Sequence, residues 1–279
     1  MPIVMNSNVS ALTAQRYLDI ARRNLDTSLA KLSSGMRIVR AADDAAGMGI
    51  SEVMKAQIRG LAQAGRNAND GISIAQVAEG AMNEQAAILT RLRELAVQSA
   101  NGTLTSTDRQ FIDKEAKDLT SELDRIALST EYDGFKLLNS LGNVTIQVGI
   151  RATTNDTLNI FFGTTTSSTL SVVYSVGGNV DLASSATTAS VSISAIDGAI
   201  TSLSTFRAMI GADTNRLQVT INNLASAREN LVAAQSRIRD VDVASETAEM
   251  TRAEILSQAG TAVLAQANQL PAAALSLLR

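Results

Sequence analysis

Two aspartates, Asp43 and Asp44, stand side by side in the stretch SSGMRIVRAADDAAGMGIS at 33–51. A pair of carboxylates is the least that general acid–base chemistry or a hard cation requires. Adjacent carboxylates on one short segment do not by themselves make a site, however, and no histidine accompanies them. The reading adopted is a solvated or capping turn. Gly47 and Gly49 follow the pair, but no strand precedes them, so the signal for a phosphate cradle is weaker still. The arginines Arg91, Arg93, Arg228, Arg237 and Arg239 could line an anion-binding face. The plainer alternative is helix-surface charge, paired with neighbours such as Glu94, Glu229 and Asp240.

Composition narrows the chemistry further. The 279 residues contain neither His nor Cys, which removes Ser-His-Asp and Cys-His catalysis, the usual zinc sites and a disulfide framework. No enzyme activity, cofactor or metal is expected. A formal net charge of -3 gives no basic field for nucleic acid. The opening MPIVMNSNVSALTAQRYL lacks a basic start before an apolar block, so a cleavable signal peptide is not expected. The tail TAVLAQANQLPAAALSLL is interrupted by Gln266, Asn268, Gln269 and Pro271, and no membrane span is expected there.

The elements that position these residues are long helices. Ile196, Leu203, Ile210, Leu217, Leu224, Leu231 and Ile238 recur at every seventh position, the signature of a coiled-coil seam. At about 1.5 Å of rise per residue this is a rod on the order of 65 Å long. Leu18, Ala21, Leu25, Leu29 and Leu32 step by three and four, predicting an amphipathic helix over 10–32. A connector follows at 33–51. Helical spacing resumes at Ile50 and runs through Met82, Leu89, Leu92 and Ala96, with Gly102 placed to take a left-handed cap. Thr107 and Gln110 read as a capping box opening a third helix, on which Ile112, Ala116, Leu119, Leu123 and Ile126 form a stripe.

After Tyr132, Asp133 and Gly134 the period changes. Val144, Ile146, Val148 and Ile150 alternate, as do Leu170, Val172, Tyr174 and Val176, with a turn at Gly177, Gly178 and Asn179. Residues 139–195 therefore read as a Ser, Thr and Gly-rich β insertion, and Ser194 with Asp197 as the cap of the returning helix. The fold class is mainly α, a long antiparallel helical bundle or coiled coil with a small β-hairpin-containing insertion. Both chain ends are amphipathic but thin in large apolar groups. They are expected to be largely disordered in a free monomer, because their burial cannot offset the ordering entropy.

Four long segments carry a family resemblance: SSGMRIVRAADDAAGMGIS at 33–51, NDGISIAQVAEGAMNE at 69–84, RLRELAVQSANG at 91–102, and RIRDVDVASETAEMTRAEILSQAGTAVLAQANQLPAAALSLL at 237–278. Together they resemble bacterial flagellin, of a compact type with a short central insertion. The resemblance implies a hairpin-shaped subunit of the motility filament with three parts. Segments 1–43 and 246–279 would form a terminal coiled-coil domain in the filament core, 44–138 and 196–245 a helical bundle domain, and 139–195 a surface insertion. Core assembly would rest on Leu18, Leu25, Leu29, Leu32, Ile255, Val263, Leu264 and Leu270.

The resemblance also implies export through the flagellar type III channel and polymerisation with itself into an extracellular helical homopolymer. The further partners it implies are an export chaperone, a filament cap and hook-junction proteins. By residue-by-residue carry-over, Arg91, Leu95 and Glu115 match positions through which Toll-like receptor 5 recognises many flagellins. The alternative function is a hook–filament junction protein, and RIRDVDVASE with ILSQAGTAVLAQANQLP favours flagellin over it. A signalling coiled-coil module is disfavoured by the β insertion and the apolar tail.

Overall fold

The computed structural model describes residues 8–139, 142–172 and 180–276, with side chains to 269. Five helices dominate: α1 (Val9–Ser34), α2 (Ala45–Ser99), α3 (Ser106–Ser129), α4 (Ala186–Arg239) and α5 (Val243–Ser276). Between α3 and α4 lie two small antiparallel pairs, β1 (Glu131–Tyr132) with β2 (Phe135–Lys136), and β3 (Gly142–Gln147) with β4 (Thr157–Phe162). The fold is mainly α with a small β insertion, as the periodicities require. No helix among the described residues is long and apolar enough to cross a membrane. The chain divides into two compact units, one formed by 1–58 with 229–279 and the other by 59–228.

In the 59–228 unit the heptad seam of α4 finds its partners. Ile196, Leu203, Ile210 and Leu217 are buried and share a core with Leu89, Leu92, Leu95, Ile112, Ala116 and Leu123. Cross-links fix the helix directions. Arg109 Nε donates to the Ser99 carbonyl at 3.0 Å and Arg91 pairs with Glu115, so α2 and α3 are antiparallel. Arg93 pairs with Asp197 at 2.6 Å, and Leu217 lies beside Gly71, so α4 also runs against α2. The seam weakens along its length, since Leu224, Leu231 and Ile238 are only half-buried.

The β3–β4 hairpin lies on α2. Asn67 Nδ2 donates to the Gln147 carbonyl at 3.0 Å, and Ile146 and Val148 turn inward while their alternate neighbours do not. Close approach explains two glycines inside a helix: a Cβ on Gly60 would meet Ile150 at 2.9 Å, and one on Gly71 would meet Ile146 at 3.2 Å. Asp133 and Gly134, with φ of 50° and 77°, make the two-residue turn between β1 and β2.

Several local expectations are corrected. Helix α2 begins at Ala45, so the connector is shorter than 33–51. Gly102 has no positive φ; the left-handed glycine cap is Gly35 at the end of α1, with φ of 69°. The capping box of α3 is Thr105 with Asp108, two residues ahead of the Thr107–Gln110 pattern. Helix α4 starts at Ala186, ten residues before Ile196. Its first turn is held by the Ser185 hydroxyl, which accepts from the Thr188 amide at 3.1 Å, and the insertion is correspondingly shorter than 139–195. Leu170 and Val172 are buried but not in a strand, while Tyr174, Val176 and the turn at 177–179 lie outside the described residues.

The graded burial of the α4 seam gives a direct check. Leu203→Ala should cost about 2–5 kcal/mol, as expected for a closed core site, and Leu224→Ala distinctly less, both measured by chemical denaturation. Equal losses would contradict the graded seam.

Candidate assembly interface

Helices α1 and α5 pack against each other within the 1–58 and 229–279 unit. Asn8 caps α1 through its side-chain oxygen and donates its Nδ2 to the Ala267 carbonyl at 2.8 Å. Leu18 lies over Gly260, and Lys31 reaches Glu246 at 3.6 Å. These three links fix an antiparallel register. The seam itself is built of small groups: Ala14, Ala21 and Ser28 with Leu18 on α1, and Ala253 and Ala267 on α5. A Cβ at Gly260 would come within 3.3 Å of Leu18, so the close approach depends on glycine.

Such a narrow seam leaves the larger apolar side chains outside. Among the described residues Val9, Leu12, Tyr17, Ile20 and Leu29 on α1, and Val243, Ile255, Leu256 and Val263 on α5, are exposed. Of the residues expected to drive assembly, Leu18 is buried in the seam, while Leu25, Leu32 and Leu264 are half-buried. Leu29 at 48%, Ile255 at 60% and Val263 at 57% exposure face away from the partner helix. Leu270 lies on α5, but its side chain falls outside the described residues. The expected set therefore divides into residues that join α1 to α5 and residues that nothing among the described residues covers. The stripe through Val9, Leu12 and Ile20 escaped the sequence reading, although its three- and eight-residue steps are helical spacing.

The acidic pair is structural. One oxygen of Asp43, Oδ2, accepts from the Val39 and Arg40 amides at 3.0 and 2.8 Å. Asp44 Oδ1 accepts from the Gly47 amide at 2.8 Å and so caps α2. Glycine at 47 leaves the Asp44 carboxylate and Ile38 undisturbed, because a Cβ there would displace one or both side chains. The Arg40 amide holds the Asp43 carboxyl below its usual range against some desolvation, helped by the Val39 amide and the charges of Lys31 and Arg40. Among the described residues no group of His, Cys, Asp and Glu could hold a metal ion.

This capped corner is tied to the break between α4 and α5. The Arg37 amide donates to the Arg239 carbonyl at 2.6 Å, the Val241 amide to the Gly35 carbonyl at 3.1 Å, and Arg37 Nη2 to the Ile238 carbonyl at 2.7 Å. Arg239 pairs with Glu52, and its Nε contacts the Met36 sulfur at 3.1 Å. Two of the arginine cluster, Arg91 and Arg93, are likewise paired with carboxylates, as the plainer reading has it.

The second carried-over set lies in the 59–228 unit. Arg91 donates to Glu115 at 2.7 Å across two helices and to Glu94 at 3.0 Å along its own; these bonds, Glu115 first, raise its pKa. All three side chains are about half-exposed, so solvent screens the pairs. Leu95 is 1% exposed and belongs to the core. It supports the helix that presents Arg91 but is not itself on the surface.

A chain with one closed helical core and a pair of terminal helices bearing uncovered apolar faces is a structural subunit of an assembly. Residues 5–142 match the bacterial flagellin N-terminal helical region and 193–278 the bacterial flagellin C-terminal helical region. A flagellin of Halalkalibacterium halodurans is 45% identical over 277 residues, covering 99% of this chain and 100% of that one. The flagellar filament 33 kDa core protein of Treponema phagedenis is 42% identical over 290 residues, covering 99% of this chain and 100% of the relative. A solved structure described as a flagellar hook-associated protein from Vibrio parahaemolyticus matches 71% of this chain and 100% of its own, with a TM-score of 0.59 and 15% identity. That last likeness concerns the fold alone and does not favour the junction alternative.

The chain belongs to the bacterial flagellins. It is a structural subunit of the flagellar filament and not an enzyme.

The capped corner carries a pH dependence. Because the folded Asp43 carboxyl titrates below its unfolded value, its contribution is present above the ordinary carboxylate range and is lost as pH falls through the folded pKa. Hydrogen exchange at the Val39 and Arg40 amides should show protection that persists through mildly acidic pH and disappears only below that range. Asp43→Ala, which removes the acceptor, should lose it at every pH.

Proposed function

We propose that the subunit polymerises by covering the outer faces of α1 and α5 with the same helices of other copies, and that these helices complete their ordering as they dock. The observation that carries this reading is the set of nine exposed large apolar side chains on one helix pair, Val9, Leu12, Tyr17, Ile20, Leu29, Val243, Ile255, Leu256 and Val263. At about 1.5–3 kcal/mol per fully buried group, covering the exposed part of these side chains, roughly half of each, is worth on the order of 10 kcal/mol per subunit. A contact of this kind between identical chains need not close, and a rotation that does not close generates an open helical filament.

Terminal segments that order only on docking also suit passage through a narrow channel. On this reading the chain is exported unfolded through the flagellar type III apparatus into the extracellular filament. An export chaperone would guard the apolar ends beforehand, and cap and hook-junction proteins would receive them. Support for this comes from the family and from the thin α1–α5 seam.

A second reading concerns the free subunit. Arg91 and Glu115 form a surface charge pair beside exposed Phe111, and we propose that Toll-like receptor 5 engages this face, with Leu95 acting from beneath as support.

Two experiments test these readings. Ile255→Asp with Val263→Asp places charge on sites exposed in the monomer, so helicity should change little while seeded polymerisation is abolished. Filaments of normal length from that variant would refute the docking mechanism. Arg91→Ala should lower receptor signalling by monomer with the fold intact; unchanged signalling would refute the second reading.

A further inference from the structure

The turn between α2 and α3 carries the chain's sole Asn-Gly step, Asn101-Gly102. Both residues are exposed, and nothing lies within 4 Å of a Cβ built on Gly102. The Asn101 side-chain oxygen accepts from the Thr103 amide at 3.2 Å, which folds the carboxamide back over the backbone that follows it. The other Asx-Gly steps are placed differently. Asp70-Gly71 and Asp197-Gly198 sit inside α2 and α4, where helical ψ and intrahelical bonding hold the next amide away from the side chain. Asp133-Gly134 is locked in the β1–β2 turn.

We propose that Asn101 is a site of spontaneous, self-catalysed modification that rebuilds the α2–α3 turn. The Gly102 amide nitrogen gives its proton to solvent base and attacks Asn101 Cγ. A new C–N bond forms, the Cγ–Nδ2 bond breaks, and the side-chain nitrogen takes up a proton and leaves as ammonia. The resulting five-membered succinimide then adds water at either carbonyl. Its opening leaves an aspartate or an isoaspartate at position 101. The net change is one water consumed and one ammonia released, with no oxidant or reductant.

Glycine matters here because a side chain at position 102 would obstruct attack and restrict the backbone rotation that brings nitrogen and Cγ together. The consequence is local but not trivial. The Asn101 carbonyl accepts from Arg109 Nη2 at 3.0 Å and from the Leu104 amide at 3.4 Å, while Arg109 Nε holds the Ser99 carbonyl. An isoaspartate inserts a methylene into the main chain at that point. The former Asn101 carbonyl becomes a free carboxylate and the peptide link then runs through Cγ, so the acceptor that the Leu104 amide meets is displaced and a negative charge enters the turn beside Arg109.

The test is incubation of the purified full chain at mildly alkaline pH. Peptide mapping follows the mass gain from exchanging NH for O, and isoaspartyl methyltransferase labelling follows the rearranged product. Label should accumulate at position 101 severalfold faster than at Asn67, Asn69 or Asn155. Gly102→Ala should slow it severalfold, and Asn101→Gln should abolish it there. In the modified fraction, the Leu104 amide should exchange faster than in the unmodified fraction. Equal rates across the asparagines, or a Gly102→Ala chain that labels as fast as the parent, would overturn the proposal. Unchanged Leu104 exchange in isoaspartate-bearing chain would overturn the claim that the turn is rebuilt.

Discussion

Two helices in contact can hide only one face of each. In α1 and α5 that face is made of alanine, serine and glycine around the buried Leu18, with Leu25, Leu32 and Leu264 half-covered, so the axes approach closely and little apolar area is removed from water. The larger groups project from the remaining faces. An apolar surface of this kind, with Leu29, Ile255, Val263 and their neighbours exposed, marks an interaction face. The described residues of this unit therefore leave an apolar surface open, which on the proposed reading further copies of the chain cover.

The 59–228 unit is built on the opposite principle. The α4 seam meets α2 and α3 through Leu, Ile and Met side chains that are almost wholly buried, and the β3–β4 hairpin adds Ile146, Ile160 and Phe162 to the same core. Its charged surface pairs, such as Arg91 with Glu115, lie half in solvent and contribute geometry more than stability. The corner at 35–44 belongs to the other unit and works through backbone groups. Asp43, Asp44 and Arg37 satisfy amides and carbonyls that helix ends leave open. Chemistry-bearing residue types thus serve here as connectors, which agrees with a structural role.

Much of this was legible in the sequence because periodicity records burial. The seven-residue repeat from Ile196 to Ile238 located α4, and the alternation at Val144 to Val148 located a strand. Helix ends were less legible. Thr105 and Thr107 offer similar chemistry two residues apart, and the structure caps α3 with the first. The ten residues of α4 before Ile196 are rich in Ser and Thr, with Val191 and Ile193, and tertiary packing of Ala189 and Ser192 overrides the weak propensity of those residues. The clasp between 35–37 and 238–241 uses main-chain groups, which leave almost no trace in residue types. At the interface the sequence named apolar stripes but could not say which members face the neighbouring helix. Leu18 and Leu29 look alike in sequence, yet one is covered and the other is not.

The central claim is that α1 and α5 are completed by other copies of the chain. Hydrogen exchange of the full-length protein, compared between dilute monomer and seeded filament, measures this most directly. The account requires fast exchange across 9–34 and 243–276 in the monomer and strong protection of the same amides in the filament, with the α2, α3 and α4 amides of 59–228 protected in both. Protection of α1 and α5 that is already complete in the monomer and unchanged by polymerisation would contradict it.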